Sequence, residues 1–265
     1  VCRHIFRPFE KEAEVSSNPQ RYLAEECIGS YIHLRSGYLA EDLRFAGIHD
    51  AVAICKVEAT PISDVLDLAD QMEVKRLRVI NGNLSNLTSN DSIESLIWAS
   101  TEALPESFDL SSWTHLRRLS LRASHSEVVK IASPQLQELT LSNDCRRGTL
   151  HVDMSALTNL RSVILMTNRI ECLVPENINT LCLRDLSSKE TERLPFCNNL
   201  QELVIEDGTI TDLSFLSRYP SLKKLRLYGF SKLTNLDGVC GLPLRELRID
   251  TCNSVTDFTA LCSLP

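Results

Sequence analysis

Cysteine and histidine are the residue types in this sequence that could supply a nucleophile or a metal ligand. The ten cysteines and six histidines are scattered, and no CxxC pair occurs. The spacing allows Cys145 and His151 to form a nucleophile and base, because such pairs assemble in three dimensions, but the loop after LQELTL favours an ordinary packed or exposed thiol for Cys145. The cysteine spacing is poor for zinc or for a disulfide framework. It favours buried free thiols, such as Cys240 and Cys262, which follow short apolar segments.

Sequence motifs that carry phosphate, hydrolase or dinucleotide chemistry are missing. The chain has no GxxxxGK[ST] loop, no GxSxG turn, no HExxH helix and no GxGxxG loop. We therefore predict a protein that is not an enzyme, with no catalytic residues, no cofactor-binding residues and no metal site.

Aspartate recurs in a fixed local pattern, which raises the question of a carboxylate site. The segments are ITDLSFLS at Ile210, LTNLDGVC at Leu233 and VTDFTALC at Val255. Asp212, Asn235 and Asp257 each precede apolar residues spaced three apart, so they are predicted to accept N–H groups at the start of a short helical turn. ISDVLDLADQMEVKRLRV at Ile62 aligns without a gap on the copy at Ile210, and places Asp64 in the same role.

Short repeats must position these segments. An apolar residue followed three and five positions later by two more begins at Val74, Ile93, Leu116, Leu136, Leu160, Ile178, Leu200, Leu222 and Leu244, at intervals of 18 to 24 residues. IHDAVA at Ile48 is interpreted as a degenerate earlier copy. Each copy predicts one strand whose alternate residues point into the core. One repeat cannot bury its own apolar face, so the repeats must stack.

Over residues 48–265 the repeats resemble the leucine-rich repeat family. LRSVILMTNRIECL is the best unit, with Asn168 at the ladder position, where other copies hold Ser124, Asp144, Gly208, Phe230 and Cys252. The 22-residue Thr-Asp-Leu copies are similar to the internalin-like and phosphatase-regulator-like subclasses. Cys252 followed by VTD is similar to the cysteine-containing subclass. The resemblance implies an α/β solenoid, a horseshoe or arc with a parallel concave β-sheet, and protein partners.

The chain is predicted to have two parts. Residues 1–47 show no strand pattern, but Pro19 after Asn18 favours the start of a helix, so we expect an N-terminal helical cap. Residues 48–265 form the solenoid. The repeat register places the next copy at position 266, so we expect the solenoid to continue beyond Pro265.

Composition limits the partners and the compartment. The 265 residues are 43% hydrophobic, and the net charge of -7 disfavours nucleic acid, although Arg117, Arg118, Arg146 and Arg147 form local basic pairs. No apolar run is long enough to insert into a membrane. Unpaired cysteines favour the cytoplasm. Sequons at Asn83, Asn86 and Asn90 leave a secreted or cell-surface protein as the alternative.

Partner-binding residues are expected on the concave face, at the fifth and seventh positions of the repeats. The candidates are Ile97, Arg122, Ile164, Met166, Val204, Glu206, Arg226, Tyr228, Arg248 and Asp250. Ile164, Met166 and Val204 predict an exposed apolar patch, unless neighbouring side chains cover these strand residues. The charged candidates sit among anchors typical of interfaces, unless they are only solvated cross-strand pairs.

The expected function is that of a non-catalytic protein-protein interaction module, a scaffold or adaptor that binds one partner on the concave face. Two alternatives are the substrate-recognition part of a larger enzyme, such as a ubiquitin ligase, and a secreted or surface recognition ectodomain. A catalytic or adaptor domain beyond either end would favour the first alternative. Glycosylation at the sequons would favour the second.

Overall fold

The computed structural model describes residues 31–33, 52–56, 62–71, 73–80, 87–99, 105–123, 128–143, 149–166 and 170–264. The chain divides into two compact units. Unit 1 comprises Val1–Ser100 with Trp113–Leu116, and unit 2 comprises Thr101–Ser112 with Arg117–Pro265.

Unit 1 contains a parallel sheet and one α-helix in its described part. The elements are β1 (Tyr31–His33), β2 (Val52–Lys56), α1 (Ile62–Gln71), β3 (Arg76–Ile80) and β4 (Ser95–Ala99). The strands pair in the order β1-β2-β3-β4. Leu77 and Val79 are buried on β3, and Leu96 and Trp98 on β4, so alternate residues point into the core as the repeats predict.

Two predictions for this unit are wrong. β1 lies within residues 1–47, where no strand was expected. Ala53 of β2 pairs with Leu77, so the first copy begins two positions later than IHDAVA at Ile48 implies. Alanines at the decisive positions give a weak hydrophobic signal, and the register of such a strand is poorly marked in the sequence. The helical cap near Pro19 lies outside the described residues.

Unit 2 is built from parallel strands. They are β5 (Ser107–Asp109), β6 (Arg118–Ala123), β7 (Val128–Ala132), β8 (Glu138–Asn143), β9 (Leu150–Asp153), β10 (Ser162–Leu165), β11 (Ile170–Leu173), β12 (Thr180–Ser187), β13 (Glu202–Thr209), β14 (Lys224–Phe230) and β15 (Glu246–Asp250). A front sheet has the order β6-β8-β10-β12-β13-β14-β15, and a back sheet has the order β11-β9-β7-β5.

The front strands of unit 2 follow the repeats. Each strand begins two positions after the first apolar residue, and inward residues such as Leu139 on β8 and Leu225 on β14 are fully buried. Unit 2 is therefore a parallel-strand solenoid with seven described front strands, which confirms stacked repeats. Its described part contains no α-helix, so it lacks the regular strand-helix alternation that an α/β description implies.

The return path of unit 2 takes two forms. In the earlier turns it is a strand of the back sheet, which the repeats did not predict. Later turns use 3-10 helices at Thr191–Arg193, Ser214–Arg218, Asp237–Val239 and Thr259–Ser263. The last three lie where the Asp and Asn segments predict short helical turns. The aligned copy in unit 1 forms the longer helix α1. The helix at Ser214 cannot extend because Pro220 disfavours a helical Tyr219.

A column of left-handed residues repeats every 22 positions at the ends of the last four front strands. Asp185, Asp207, Gly229 and Thr251 have φ angles of 58°, 56°, 77° and 58°. At Gly229 an added Cβ would lie 2.5 Å from Oδ1 of Asp207, so both the dihedral and the space favour glycine. Next to this column, Cys252 is buried at the ladder position and its thiol lies 3.5 Å from the Asp250 carbonyl. Asn168 is outside the described residues.

Candidate functional site

The outward side of the front sheet, called here the front face, carries the predicted columns in register. Each fifth-position residue pairs directly with the next: Ser120, Thr140, Ile164, Cys182, Val204, Arg226 and Arg248. The seventh-position residues Arg184, Glu206, Tyr228 and Asp250 also pair in sequence. Neighbouring strands lie about 4.8 Å apart, so the side chains in a column touch or nearly touch.

An apolar strip crosses the middle of the front face. It consists of Ile164, Cys182 and Val204 in one column, with Met166 just beyond the end of β10. Cys182 is 3% exposed and Val204 is 6% exposed, whereas Ile164 and Met166 are half-buried. The predicted patch is therefore partly covered, since Val204 contributes little surface. The exposed apolar area is centred on Ile164 and Met166.

Arg226 is fixed between two carboxylates of the neighbouring strands. Its Nη1 lies 3.3 Å from Oε1 of Glu202, and its Nε and Nη2 each lie 3.0 Å from Oε1 of Glu246. Burial acts to lower the pKa of Arg226, but the hydrogen bond and charge of Glu246 and the charge of Glu202 raise it overall. The side chain is only 19% exposed. Arg226 therefore organises the front face and presents little surface to a partner.

Tyr228 lies two positions after Arg226 on β14, next to the clamp formed by Arg226, Glu202 and Glu246. A cation of the same chain contacts its ring. The Arg248 guanidinium carbon is 5.6 Å from the centre of the Tyr228 ring, a cation-π contact. Glu206 and Asp250 flank Tyr228 on the two neighbouring strands. Eight of the ten candidate residues thus lie on or beside β10 to β15. They are Ile164, Met166, Val204, Glu206, Arg226, Tyr228, Arg248 and Asp250.

The remaining two candidates are placed elsewhere. Arg122 is exposed on β6 of the same face and pairs with Ser142. Ile97 is half-buried on β4 of unit 1, where it pairs with Arg78. Arg122 therefore shares the front face of unit 2 with the other eight candidates, and Ile97 belongs to the sheet of unit 1.

A cleft of about 450 Å³ lies on the back sheet of unit 2. Its polar residues include His151, Glu171 and Arg193. The Glu171 carboxylate bridges the other two, with His151 Nδ1 and Arg193 Nη1 each 3.2 Å away. Sequence reasoning missed this cleft because the three residues meet only when β9, β11 and the first 3-10 helix stack. The charges of Glu171 and Arg193 oppose one another.

Neither Cys172, which lines this cleft, nor Cys197 favours nucleophilic chemistry. Burial raises the pKa of Cys172 to about 12 and that of Cys197 to about 11, so both thiols stay protonated near neutral pH. A nucleophilic cysteine needs the opposite shift. Cys145, the proposed partner of His151, is outside the described residues. Among the residues the structure describes, no cluster of three or more His, Cys, Asp or Glu side chains could hold a metal ion.

The described cysteines differ in burial, although buried thiols were predicted. Cys182, Cys197 and Cys252 are buried free thiols, as expected. Cys240 and Cys262 are exposed, so that prediction was wrong. Cys240 directly follows a 3-10 helix and Cys262 lies in the last turn of another, and the apolar spacing did not show that these positions face solvent.

The recurring Asp and Asn residues form Asx turns one position before the N-cap residues of the 3-10 helices. The Asp212 Oδ1 accepts the Ser214 N–H at 3.0 Å, the Asn235 Oδ1 accepts the Asp237 N–H at 3.2 Å, and the Asp257 Oδ1 accepts the Thr259 N–H at 2.9 Å. Hydrogen bonds from the Ser214 side chain and backbone lower the pKa of Asp212. The prediction of a structural role is confirmed at these positions. The side chain of Asp64 is outside the described residues.

Asn90 has a structural role that its sequon did not suggest. Its side chain is buried, accepts the Ser92 N–H at 3.0 Å and the Ile93 N–H at 2.9 Å, and donates to the Leu66 carbonyl at 3.3 Å. The amide nitrogen that a glycan would occupy is therefore used inside unit 1. Asn83 and Asn86 are outside the described residues.

Comparisons and membrane criteria add little to this geometry. Within the described ranges, no helix has the length and apolar character needed to span a membrane. No protein-family model and no curated protein matches the chain.

Proposed function

We propose that this chain is a non-catalytic protein-recognition module of the leucine-rich repeat type, a scaffold or adaptor that binds a protein partner on the front face of unit 2. One observation carries the proposal: the apolar strip lies in register beside the Arg226 clamp and the Tyr228–Arg248 stack. Apolar anchors surrounded by fixed polar groups are typical of the centre of a protein interface.

Rigidity supports this assignment. The residues of the front face stand on hydrogen-bonded strands, and the ion pairs of Arg226 restrict its side chain before any partner arrives. A preordered surface loses less conformational entropy on binding than a flexible one. The front face can therefore bind with a modest number of contacts.

Size sets the extent of the proposed interface. Seven strands at about 4.8 Å spacing span roughly 29 Å from β6 to β15. A stable interface buries about 800 Å² on each partner. The apolar strip alone is too small for that, so the contact must extend along the sheet, and Arg122 on β6 is included in it.

A photo-crosslinking amino acid at position 166 tests the proposal directly. Met166 is half-buried on the front face, and Lys189 is exposed after β12, beyond that face, where it serves as the control position. We expect a defined protein to crosslink from position 166 in native cells and not from position 189. Ile164→Glu should abolish the crosslink without changing the circular dichroism spectrum. Equal crosslinking from both positions, or a crosslink that survives Ile164→Glu, would refute the proposal.

We also propose that the module works in the cytoplasm. The buried free thiols and the internal use of Asn90 support a reducing compartment over a glycosylated one. Mass spectrometry of the native protein tests this assignment. Free thiols and an unmodified Asn90 are expected, whereas a glycan on Asn90 would contradict both the compartment and the fold of unit 1.

A further inference from the structure

Two arginines of the front face are held in ion pairs. Arg226 is shared by Glu202 and Glu246, and the Arg184 Nε lies 3.6 Å from the Asp207 carboxylate. These groups already neutralise one another within the sheet. They are therefore poor candidates for recognising the charge of a partner.

Two carboxylates lie beside Tyr228. Among the described residues, neither Glu206 nor Asp250 has an ion pair, and Asp250 accepts only the Thr251 hydroxyl at 2.9 Å. Both flank Tyr228 in one column of adjacent strands. The aromatic ring thus stands between two carboxylates that lack a cation.

The ring itself shows which ligand suits this position. The guanidinium of Arg248 lies 5.6 Å from the ring centre, so the ring already accepts a cation on one face. Arg248 supplies one positive charge against the two carboxylates. A second cation would complete the local balance, and the net charge of -7 on the chain attracts positively charged segments from a distance.

We propose that Glu206, Tyr228 and Asp250, called here the cation spot, receive a lysine or arginine side chain of the partner. The inference rests on the proposed function and specifies its partner as a basic segment. An apolar residue of the same segment would lie on Ile164 and Met166. An acidic segment at the cation spot would be repelled by Glu206 and Asp250.

Random peptides displayed on phage and selected on the folded protein test this inference. We expect the selected peptides to be enriched in lysine and arginine beside an apolar residue. Their affinity should fall about tenfold in the double variant Glu206→Gln and Asp250→Asn, which keeps the side-chain shapes and removes both charges. Higher salt should weaken wild-type binding more than binding to the double variant.

A matched control lies off the front face. Glu192 is exposed in the 3-10 helix Thr191–Arg193 of the return path, and Glu192→Gln should leave the affinity unchanged. Thermal melting checks that every variant folds. Peptides that require Ile164 but show no basic preference, or that bind the double variant equally well, would overturn the inference and leave the proposed function standing. Peptides indifferent to Ile164→Glu would overturn both.

Discussion

The earlier and later turns of unit 2 share one front strand pattern but return along different backs. In the earlier turns the chain returns as a strand such as β7 or β9, and in the later turns as a 3-10 helix such as Ser214–Arg218. Both backs contain the same Asx turn. The Asp153 Oδ1 accepts the Ser155 N–H at 3.0 Å, as the Asp212 Oδ1 accepts the Ser214 N–H at 3.0 Å.

The two backs differ in the position of the Asx turn within the repeat. Leu160, the first apolar residue of the next repeat, follows Asp153 by seven positions, whereas Leu222, at the same repeat position, follows Asp212 by ten. The three additional residues after Asp212 make room for the 3-10 helix. In the last turns the back strand shrinks to a single bridge between Asn235 and Asp257. The position of the Asx turn within the repeat therefore decides which back forms, while the front sheet stays continuous.

The largest expected effect tests whether the two regions share one core. Leu139 on β8 and Leu225 on β14 are both fully buried at the same repeat position. Each change to alanine should cost about 3 kcal/mol of unfolding free energy, through lost burial and the cavity that remains. Urea unfolding followed by circular dichroism measures it.

Equal losses in a single transition would show that the strand-backed and helix-backed turns unfold together. Two separate transitions, each shifted by only one of the two substitutions, would contradict a single cooperative core. The regions would then be independent cooperative units, as repeat arrays sometimes are.

A smaller effect tests the shared Asx turn. Asp153→Ala and Asp212→Ala each remove a side-chain acceptor from a backbone N–H and from a serine hydroxyl. Each should cost about 1 kcal/mol, as for the loss of a cap. Chemical denaturation of the two variants checks it, with the exposed Asp91→Ala, in unit 1, as a control of similar chemistry.

Similar losses would mean that the turn stabilises both backs in the same way. A loss confined to Asp212→Ala would instead show that only the 3-10 helix depends on its cap, because the strand return is already held by the ladder of the back sheet.

The front sheet was predictable because its signal is local. Large aliphatic residues at alternate positions, such as Leu181 and Leu183, define each strand and its register without knowledge of the neighbours. Because the pattern predicted the register of each strand, it also predicted the columns of the front face. The back sheet carries a weaker signal: β9 buries only Leu150 and Val152, and such a short run is compatible with a loop.

The burial and ion pairing of individual side chains in the site could not be predicted from the sequence. Arg226 was expected to contact a partner, but the carboxylates that hold it belong to repeats 22 residues away on either side. Val204 was expected to be exposed, and its coverage also depends on the adjacent strands. Contacts between repeats decide these outcomes, and the pattern within one repeat does not report them.

The smallest expected effect is a dependence of stability on pH. It distinguishes the Asx turns built on aspartate from the one built on Asn235. Serine or threonine hydrogen bonds lower the pKa of Asp109, Asp153, Asp212 and Asp257, first through the side chain and then through the backbone. A carboxyl whose pKa is lower in the folded state stabilises the fold above its unfolded pKa of about 3.9, and this contribution is lost as the pH falls through the folded value. These turns should therefore weaken below about pH 4.

Asn235 occupies the same position without a carboxyl, and its Oδ1 still accepts the Asp237 N–H at 3.2 Å. The Asp212→Asn variant should resemble it. We expect the urea midpoint of this variant to lie slightly below that of the wild type at pH 7, to fall less between pH 5 and pH 3, and to approach it at low pH. An unchanged acid response would mean that the Asp212 carboxylate contributes no linkage. The hydrogen-bonded turn, independent of charge, would then be the common element of both backs.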